Sequence, residues 1–337
     1  MPNRQGQHGA LSRADGRLVR DPPTYADLGG VALAPELHQT PVHSGSFDVS
    51  PAHSVLSNFP AWPWWVPSTS CLTARRGKLK TMTPRPWILA EQPLPAVRAA
   101  AYQVAMLPWG ATEAHNLHLP YGTDTIECDA LAAESARRAW ERGARVAVLP
   151  TVPFGVNTTQ LDIPFTLNMN PSTQLALLGD LVSALEGQGV RKLVIFNGHG
   201  GNDFKAIIRE LQPRTRVFLC TLNWWQVVDG RDFFTDSGDH AGELETSVMQ
   251  QVVPSLVRPL SEAGDGRAKR WRIAAFRDGW AWAPRQWTKV TDDTGIGDPR
   301  HASAERGARF IDAVCERVAG FLVELAAADL DDLYSSA

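Results

Sequence analysis

Four residues that ligate metals or move protons lie within one short stretch, TEAHNLHLPYGTD, residues 112–124: Glu113, His115, His118 and Asp124. Glu113 and His115 are two positions apart, so on an extended segment both side chains point the same way. Asp124 follows a loop that contains proline and glycine, and such a loop can bring its carboxylate close to the first two side chains. Mixed carboxylate and imidazole ligands suit Zn²⁺, Mn²⁺ or Fe²⁺. Taken alone, the stretch is equally consistent with two structures. One is a loop that binds a metal ion, and the other is a turn or helix start capped by Glu113 and Asp124.

Two later segments favour the metal interpretation. NGHGGN, residues 197–202, sets His199 among glycines that leave backbone close to whatever the ring faces. A phosphate-binding turn is the alternative, but the chain has no GxGxxG or Walker lysine pattern. DHAGELETS, residues 239–247, places Glu245 about one helical turn beyond His240, and Glu243 is then expected to point into solvent. Four of the five histidines beyond residue 81 lie in these three segments.

The elements that position these segments alternate between strands and helices. Short apolar runs predict buried strands over residues 103–107, 145–149, 192–196 and 216–220. Helical patterns cover residues 126–142, 173–186, 203–211 and 303–330. This order predicts an α/β fold, a three-layer α/β/α sandwich with a mainly parallel sheet. Working groups gather at the carboxyl ends of such strands, so the first two histidine segments should emerge at one edge.

Residues 1–81 differ from the rest of the chain. They are rich in Pro, Ser, His and Arg and show no sustained apolar period. We expect a disordered N-terminal extension, with Met82 as the preferred start, and a docking or regulatory segment as the alternative. Residues 82–330 then form the working domain.

Net charge and composition indicate which classes of binding partner the protein is expected to have. The 33 Lys and Arg residues against 36 Asp and Glu give a net charge of -3, so no basic field would attract nucleic acid or an anionic membrane. No apolar run is long enough to span a bilayer, and the four cysteines form no CxxC pair. We expect a cytoplasmic protein that acts on a small molecule.

The three segments in order, E-x-H-x-x-H-L-P-x-x-T-D, N-G-H-G-G-N and H-A-G-x-x-E-T-S, resemble the creatininase (creatinine amidohydrolase) family of dinuclear metal hydrolases. TGIGDPRHASAERG, residues 294–307, is similar to that family's C-terminal stretch. The resemblance covers roughly residues 86–325. It implies a creatininase-like hydrolase domain over residues 82–330, two divalent ions per subunit (Zn²⁺, Mn²⁺ or Fe²⁺), and a homo-oligomer, often a hexamer.

The resemblance also assigns metal ligands. Glu113, Asp124 and His199 would hold one ion, and His115, Asp124 and Glu245 the other, with Asp124 bridging. In creatininase itself the glutamate on the second ion comes from the NGH loop, where this chain has Gly201. Glu245 is therefore expected to replace it.

Other roles follow from the same resemblance. His240, with Glu245, would be catalytic, with His240 as the general acid or base, and His118 would stand behind the metals or face the substrate. Trp224 and Trp225 match an aromatic position that could stack on a flat substrate, although core or subunit-interface roles are equally consistent.

Three departures from the family argue against creatinine as the substrate. Asn116 stands where relatives have glycine, residues 160–173 replace an aromatic-proline-glycine-threonine run, and no tryptophan precedes the HAG motif. Four further tryptophans lie in a segment without a motif, where packing or oligomer contacts are favoured over ligand binding: Trp271, Trp280, Trp282 and Trp287.

The sequence thus predicts a dinuclear metal amidohydrolase that cleaves a C–N bond of a small linear or cyclic amide or formamide. The alternatives are metallopeptidase-like maturation of a modified peptide, a catalytically inactive metal-binding protein, and a nucleotide-binding oxidoreductase.

Overall fold

The computed structural model describes residues 83–335, together with residues 13–14 and 17–18. Internal contacts divide the chain into Met1–Gly77 and Lys78–Ala337. Within the first unit, Arg13–Ala14 (β1) and Arg17–Leu18 (β2) pair antiparallel. Otherwise the expected extension over residues 1–81 lies outside the described residues, as does Met82, so both assignments stay predictions.

The second unit is built on a parallel sheet. Its strands are Val104–Trp109 (β3), Val146–Val148 (β4), Lys192–Asn197 (β5) and Phe218–Asn223 (β6). They lie in the order β4-β3-β5-β6, and every neighbouring pair is parallel. Each strand overlaps the apolar run that predicted it. The almost uninterrupted burial of β3, β4 and β5 is typical of strands covered on both faces.

Helices cover both faces of this sheet. Those within the described residues are Leu94–Ala100 (α1), Thr123–Glu141 (α2), Pro171–Gly187 (α3), Phe204–Leu211 (α4), Glu243–Val252 (α5), Ala274–Arg277 (α6), Trp287–Val290 (α7) and Ala304–Ala327 (α8). Helices α2, α5 and α8 share one hydrophobic core with the sheet, and α3 and α4 share the other. The predicted three-layer sandwich is confirmed. None of the helices in residues 83–335 combines the length and apolar run needed to cross a membrane.

Alternating side chains of β3 serve the two cores. Val104 and Met106 enter the core with α2, α5 and α8, whereas Ala105, Leu107 and Trp109 enter the core with α3 and α4. Because β3 and β5 are neighbouring parallel strands, the segments that follow them leave the sheet side by side. This places the two histidine-bearing loops together.

The C-terminal motif fastens α8 to α5. A Cβ atom on Gly307 would lie 2.0 Å from the carbonyl oxygen of Ser247, so only glycine permits this approach of the two helices. The Ser303 hydroxyl caps α8 by accepting from the backbone N–H of Arg306 at 3.3 Å, and the Ser303 N–H donates to Ser247 Oγ at 3.1 Å. The motif therefore holds the helix that carries Glu245.

Candidate metal centre

The loop after β3 and the first turn of α2 bring the first three candidate ligands together. Glu113, His115 and Asp124 are all buried. His115 Nε2 lies 2.9 Å from Asp124 Oδ1, while its Nδ1 lies 3.1 Å from the Glu113 carbonyl oxygen. That carbonyl is the acceptor for Nδ1–H, so Nε2 faces the carboxylate. A second ring nitrogen bound to a backbone carbonyl is typical of a metal-ligating histidine.

His199 reaches the same carboxylates from the end of β5. Its Nδ1 lies 3.0 Å from Asp124 Oδ2 and 3.1 Å from Glu113 Oε1, and its Nε2 lies 3.1 Å from the Val156 carbonyl oxygen. A Cβ atom on Gly201 would meet that carbonyl oxygen at 2.3 Å and His199 Nε2 at 2.5 Å. The loop is thus closed against the imidazole, and a glutamate at position 201 would require the backbone to move.

The segment around the start of α5 supplies the remaining groups. His240 Nε2 lies 2.8 Å from the Ala114 carbonyl oxygen, and its Nδ1 lies 3.6 Å from Glu113 Oε1. The N–H of Ala241 donates to Glu245 Oε2 at 2.5 Å. His240 also forms an antiparallel bridge with Ile296 of the C-terminal motif, which fixes its backbone.

Potential ligand atoms form three overlapping groups in which all atoms lie within 4.8 Å of one another. They are Glu113, Asp124 and His199; His115, Asp124 and Glu245; and Glu113, His115 and His240. The first two are the sets implied by the resemblance, and they share Asp124. Asp124 Oδ2 and His115 Nε2 are buried, and neither has a hydrogen bond of acceptable geometry with any group in residues 83–335. Buried carboxylates and imidazoles with unused lone pairs fit the binding of a divalent cation.

The electrostatics show how closely these groups are coupled. Burial would lower the pKa of His115, but the carboxylate of Asp124, with those of Glu245 and Glu113, raises this pKa to about 10. Burial would raise the pKa of Asp124, yet contacts with His115 and His199 hold it well below its usual range. The pKa of His199 is raised because Glu113 and Asp124 outweigh burial. A divalent cation would have to displace the protons on both histidines.

A cavity of about 300 Å³ opens onto the candidate ligands. Trp225 lines it, and its expected role in stacking on a substrate stays a prediction. Trp224 is buried and meets Trp225 edge-on, with 6.1 Å between ring centroids, and it does not line the cavity. His118 is also outside the lining: its Nε2 lies 2.9 Å from Thr246 Oγ1, and burial lowers its pKa to about 4. His118 therefore stands behind the centre.

Two tryptophans for which packing or oligomer contacts were expected also line this cavity: Trp282 and Trp287. Trp287 is buried, and its ring meets His240 nearly perpendicularly, with centroids 5.3 Å apart. Its Nε1–H donates to the Thr294 carbonyl oxygen at 2.9 Å. Trp287 also packs with Ala114 and Ile163 in a small hydrophobic core, so it has a packing contact as well as a place in the cavity wall. The roles of Trp282 and Trp287 stay predictions.

The expected exposure of Glu243 is wrong. Its side chain is 1% exposed, forms an ion pair with Arg306 of α8, and accepts hydrogen bonds from the N–H groups of Thr235 and Asp236 at 2.9 and 3.1 Å. Glu243 does point away from the cavity, but toward α8, because that helix covers the face expected to meet solvent.

Asn116 has a structural role that its sequence position did not reveal. Its φ of 52° lies in the left-handed region that glycine favours and asparagine tolerates. Its Oδ1 accepts from the Gly264 N–H at 2.8 Å, and its own N–H donates to Thr294 Oγ1 at 2.9 Å. Asn116 does not line the cavity. Asn116 therefore holds a turn beside the centre, and its bearing on the substrate stays a prediction.

Sequence reasoning missed two buried polar residues next to the centre. Gln160 donates from Nε2 to Glu113 Oε2 at 2.5 Å. Glu127 lies on α2, and neither of its carboxyl oxygens has a hydrogen-bond partner within residues 83–335. Burial, with the charges of Glu245 and Asp124, raises the pKa of Glu127 well above its ordinary value. The sequence offers one signal for Glu127, which is that it follows Asp124 by about one helical turn.

The chain is similar in sequence to proteins of known family. The family model described as creatinine amidohydrolase matches residues 90–322. The mycofactocin precursor peptide peptidase of Mycobacterium tuberculosis strain H37Rv is 27% identical over 221 residues, which are 63% of this chain and 81% of the relative. The creatinine amidohydrolase of Pseudomonas putida is 28% identical over 181 residues, 47% of this chain and 68% of the relative.

A solved structure from Bacteroides fragilis NCTC 9343, described as a candidate creatinine amidohydrolase, is also similar. It is 45% identical in sequence with a TM-score of 0.70, and the match covers 74% of this chain and 99% of that chain.

Proposed function

This chain belongs to the creatininase family, and from that membership we propose that it is an amidohydrolase with two divalent ions in one buried centre. The observation that carries the proposal is the orientation of Asp124. Its Oδ1 faces His115 at 2.9 Å and its Oδ2 faces His199 at 3.0 Å, so each oxygen serves one ligand set. Glu113 completes the first set and Glu245 the second.

The donor types suit Zn²⁺, Mn²⁺ or Fe²⁺. When bound, two such ions would supply an activated water and positive charge for the oxyanion that develops on an amide carbonyl. The protein must still deliver a proton to the departing nitrogen. His240 is suited to this step because Nε2 is engaged by the Ala114 carbonyl oxygen, which leaves Nδ1 free to accept and return a proton.

The cavity favours a small substrate. Its volume of about 300 Å³ is at the lower end of ligand sites, and Trp225, Trp282 and Trp287 give it aromatic walls. We therefore propose a small linear or cyclic amide or formamide. Cleavage of a modified peptide is the second candidate, because the relative named as a peptide peptidase matches 63% of this chain. His118 and Trp224 would support the site from behind.

A panel of substrates separates these candidates. Full-length protein loaded with Mn²⁺ or Zn²⁺ would be assayed on small linear amides, cyclic amides, formamides and short peptides. We expect turnover of at least one small amide and none of the peptides. Turnover confined to peptides would favour the second candidate, and full metal loading without any hydrolysis would favour an inactive metal-binding protein.

The family resemblance supports assembly into an oligomer, and the composition and net charge of -3 support the expected location and partners. We propose a cytoplasmic homo-oligomer, with a hexamer as the expected state, that has no nucleic-acid or membrane partner. Sedimentation of the purified chain tests the hexamer directly.

A further inference from the structure

We propose that Gln160 positions Glu113 for the first ion, so that loss of its amide weakens that ion's binding and leaves the second ion unaffected. The inference rests on the two-ion centre proposed above. It concerns residues 157–168, called here the 157–168 loop, which overlaps residues 160–173, where the sequence departs from the family's pattern.

The contact joins two buried side chains. Glu113 is 1% exposed and Gln160 is 3% exposed, and Gln160 Nε2 donates to Glu113 Oε2 at 2.5 Å. The other carboxylate oxygen, Oε1, lies 3.1 Å from His199 Nδ1. The Gln160 amide therefore binds Glu113 Oε2. Glu113 Oε1 is left facing the ligand set that Glu113 shares with Asp124 and His199.

No other group within residues 83–335 is placed to do this. Gln160 is the one hydrogen-bond donor that reaches Glu113 Oε2 in that range. The Oε1 atom of Gln160 is buried and accepts no hydrogen bond from the same part of the chain. Buried polar atoms without partners are uncommon and costly, and the contact with Glu113 is the one hydrogen bond of the Gln160 side chain within residues 83–335.

The 157–168 loop is itself anchored, which keeps the amide in place. The Gln160 N–H donates to the Asn157 carbonyl oxygen at 3.0 Å, and the N–H of Trp287 donates to the Thr159 carbonyl oxygen at 3.1 Å. Thr288 Oγ1 donates to Asp162 Oδ2 at 2.5 Å. The loop thus connects Glu113 with the segment that packs on His240.

The test is a Mn²⁺ titration of full-length protein stripped of metal. Gln160→Met keeps the length of the side chain and removes the donor, while Gln160→Asn keeps the amide but shortens its reach. Gln212→Met is the matched control: this glutamine bonds the backbone of Val217 and Leu219 and does not line the cavity. Melting curves confirm that each variant is folded.

Wild type should bind two Mn²⁺ ions in two steps. Gln160→Met and Gln160→Asn should weaken one step by about tenfold, as expected when the partner of a metal ligand is lost, while Gln212→Met changes neither. In a Glu245→Gln background, which removes the second site, Gln160→Met should still weaken the remaining step. Titration of both Gln160 variants as wild type would overturn the inference, whereas a wild type that binds no Mn²⁺ would overturn the proposed centre itself.

Discussion

The ring of Trp287 stands nearly perpendicular to the ring of His240, with 5.3 Å between their centroids. The guanidinium of Arg285 lies 4.7 Å from the Trp287 ring centroid, so the indole contacts both a cation and the imidazole. Trp287 therefore limits how His240 can turn.

Replacement of Trp287 should affect turnover without affecting metal content. Trp287→Leu removes the edge-to-face contact and the Nε1 hydrogen bond to Thr294. We expect kcat to fall about fivefold, since an aromatic pair contributes roughly 1 kcal/mol beyond its buried area and a tenfold change in rate corresponds to about 1.4 kcal/mol. Trp280→Leu, which removes an exposed tryptophan outside the cavity, is the control. Equal activity of the two variants would refute the role of Trp287.

Removal of the His240 imidazole should separate chemistry from metal binding. His240→Gln is expected to lower kcat by about 10² to 10⁴, the usual contribution of a general acid or base, while both ions stay bound. Elemental analysis beside the activity assay checks both parts. The potential ligand atoms of His240, Glu113 and His115 lie within 4.8 Å of one another, so these three residues could hold an ion together. Loss of one ion from His240→Gln would therefore identify His240 as a metal ligand.

Metal affinity should rise with pH. The raised pKa values of His115, about 10, and of His199 mean that both rings carry protons at neutral pH when no cation is present. Each must lose its proton to ligate, so the apparent affinity should increase from pH 6 toward pH 10, with protons released on binding. Calorimetric titration in buffers of different ionisation enthalpy counts those protons. An affinity that is independent of pH would contradict the assignment of both rings as ligands.

Glu127 should make the metal-free protein less stable as pH rises. Its folded-state pKa is well above the ordinary value of 4.5, so its contribution is most favourable below that pH and is lost as pH rises toward the folded-state value. Glu127→Gln removes this dependence, and its stability relative to wild type should grow from about pH 4.5 to pH 8. Urea denaturation across this range measures the difference, with Glu141→Gln on the exposed side of the same helix as control. A Glu127→Gln protein that loses stability relative to wild type as pH rises would contradict the assignment.

The sequence predicts the parts of the site that depend on local pattern. Apolar runs identified the four strands, and parallel order brought the loops carrying Glu113 and His199 to one edge. The positions of Trp287 and Gln160 were not predictable in this way, because both are set by contacts between distant segments. Glu243 shows the same limit: its position on α5 gave its direction, but only the packing of α8 made it buried.

The central claim is that Asp124 is shared by two ions, and metal analysis of one substitution tests it most directly. Wild-type protein should retain about two divalent ions per chain, in line with its two ligand sets. Asp124→Asn should lose both. Asp129→Asn, an exposed position on the same helix, should retain both. A wild type without transition metal above background, or an Asp124→Asn protein with full metal content, would contradict the account.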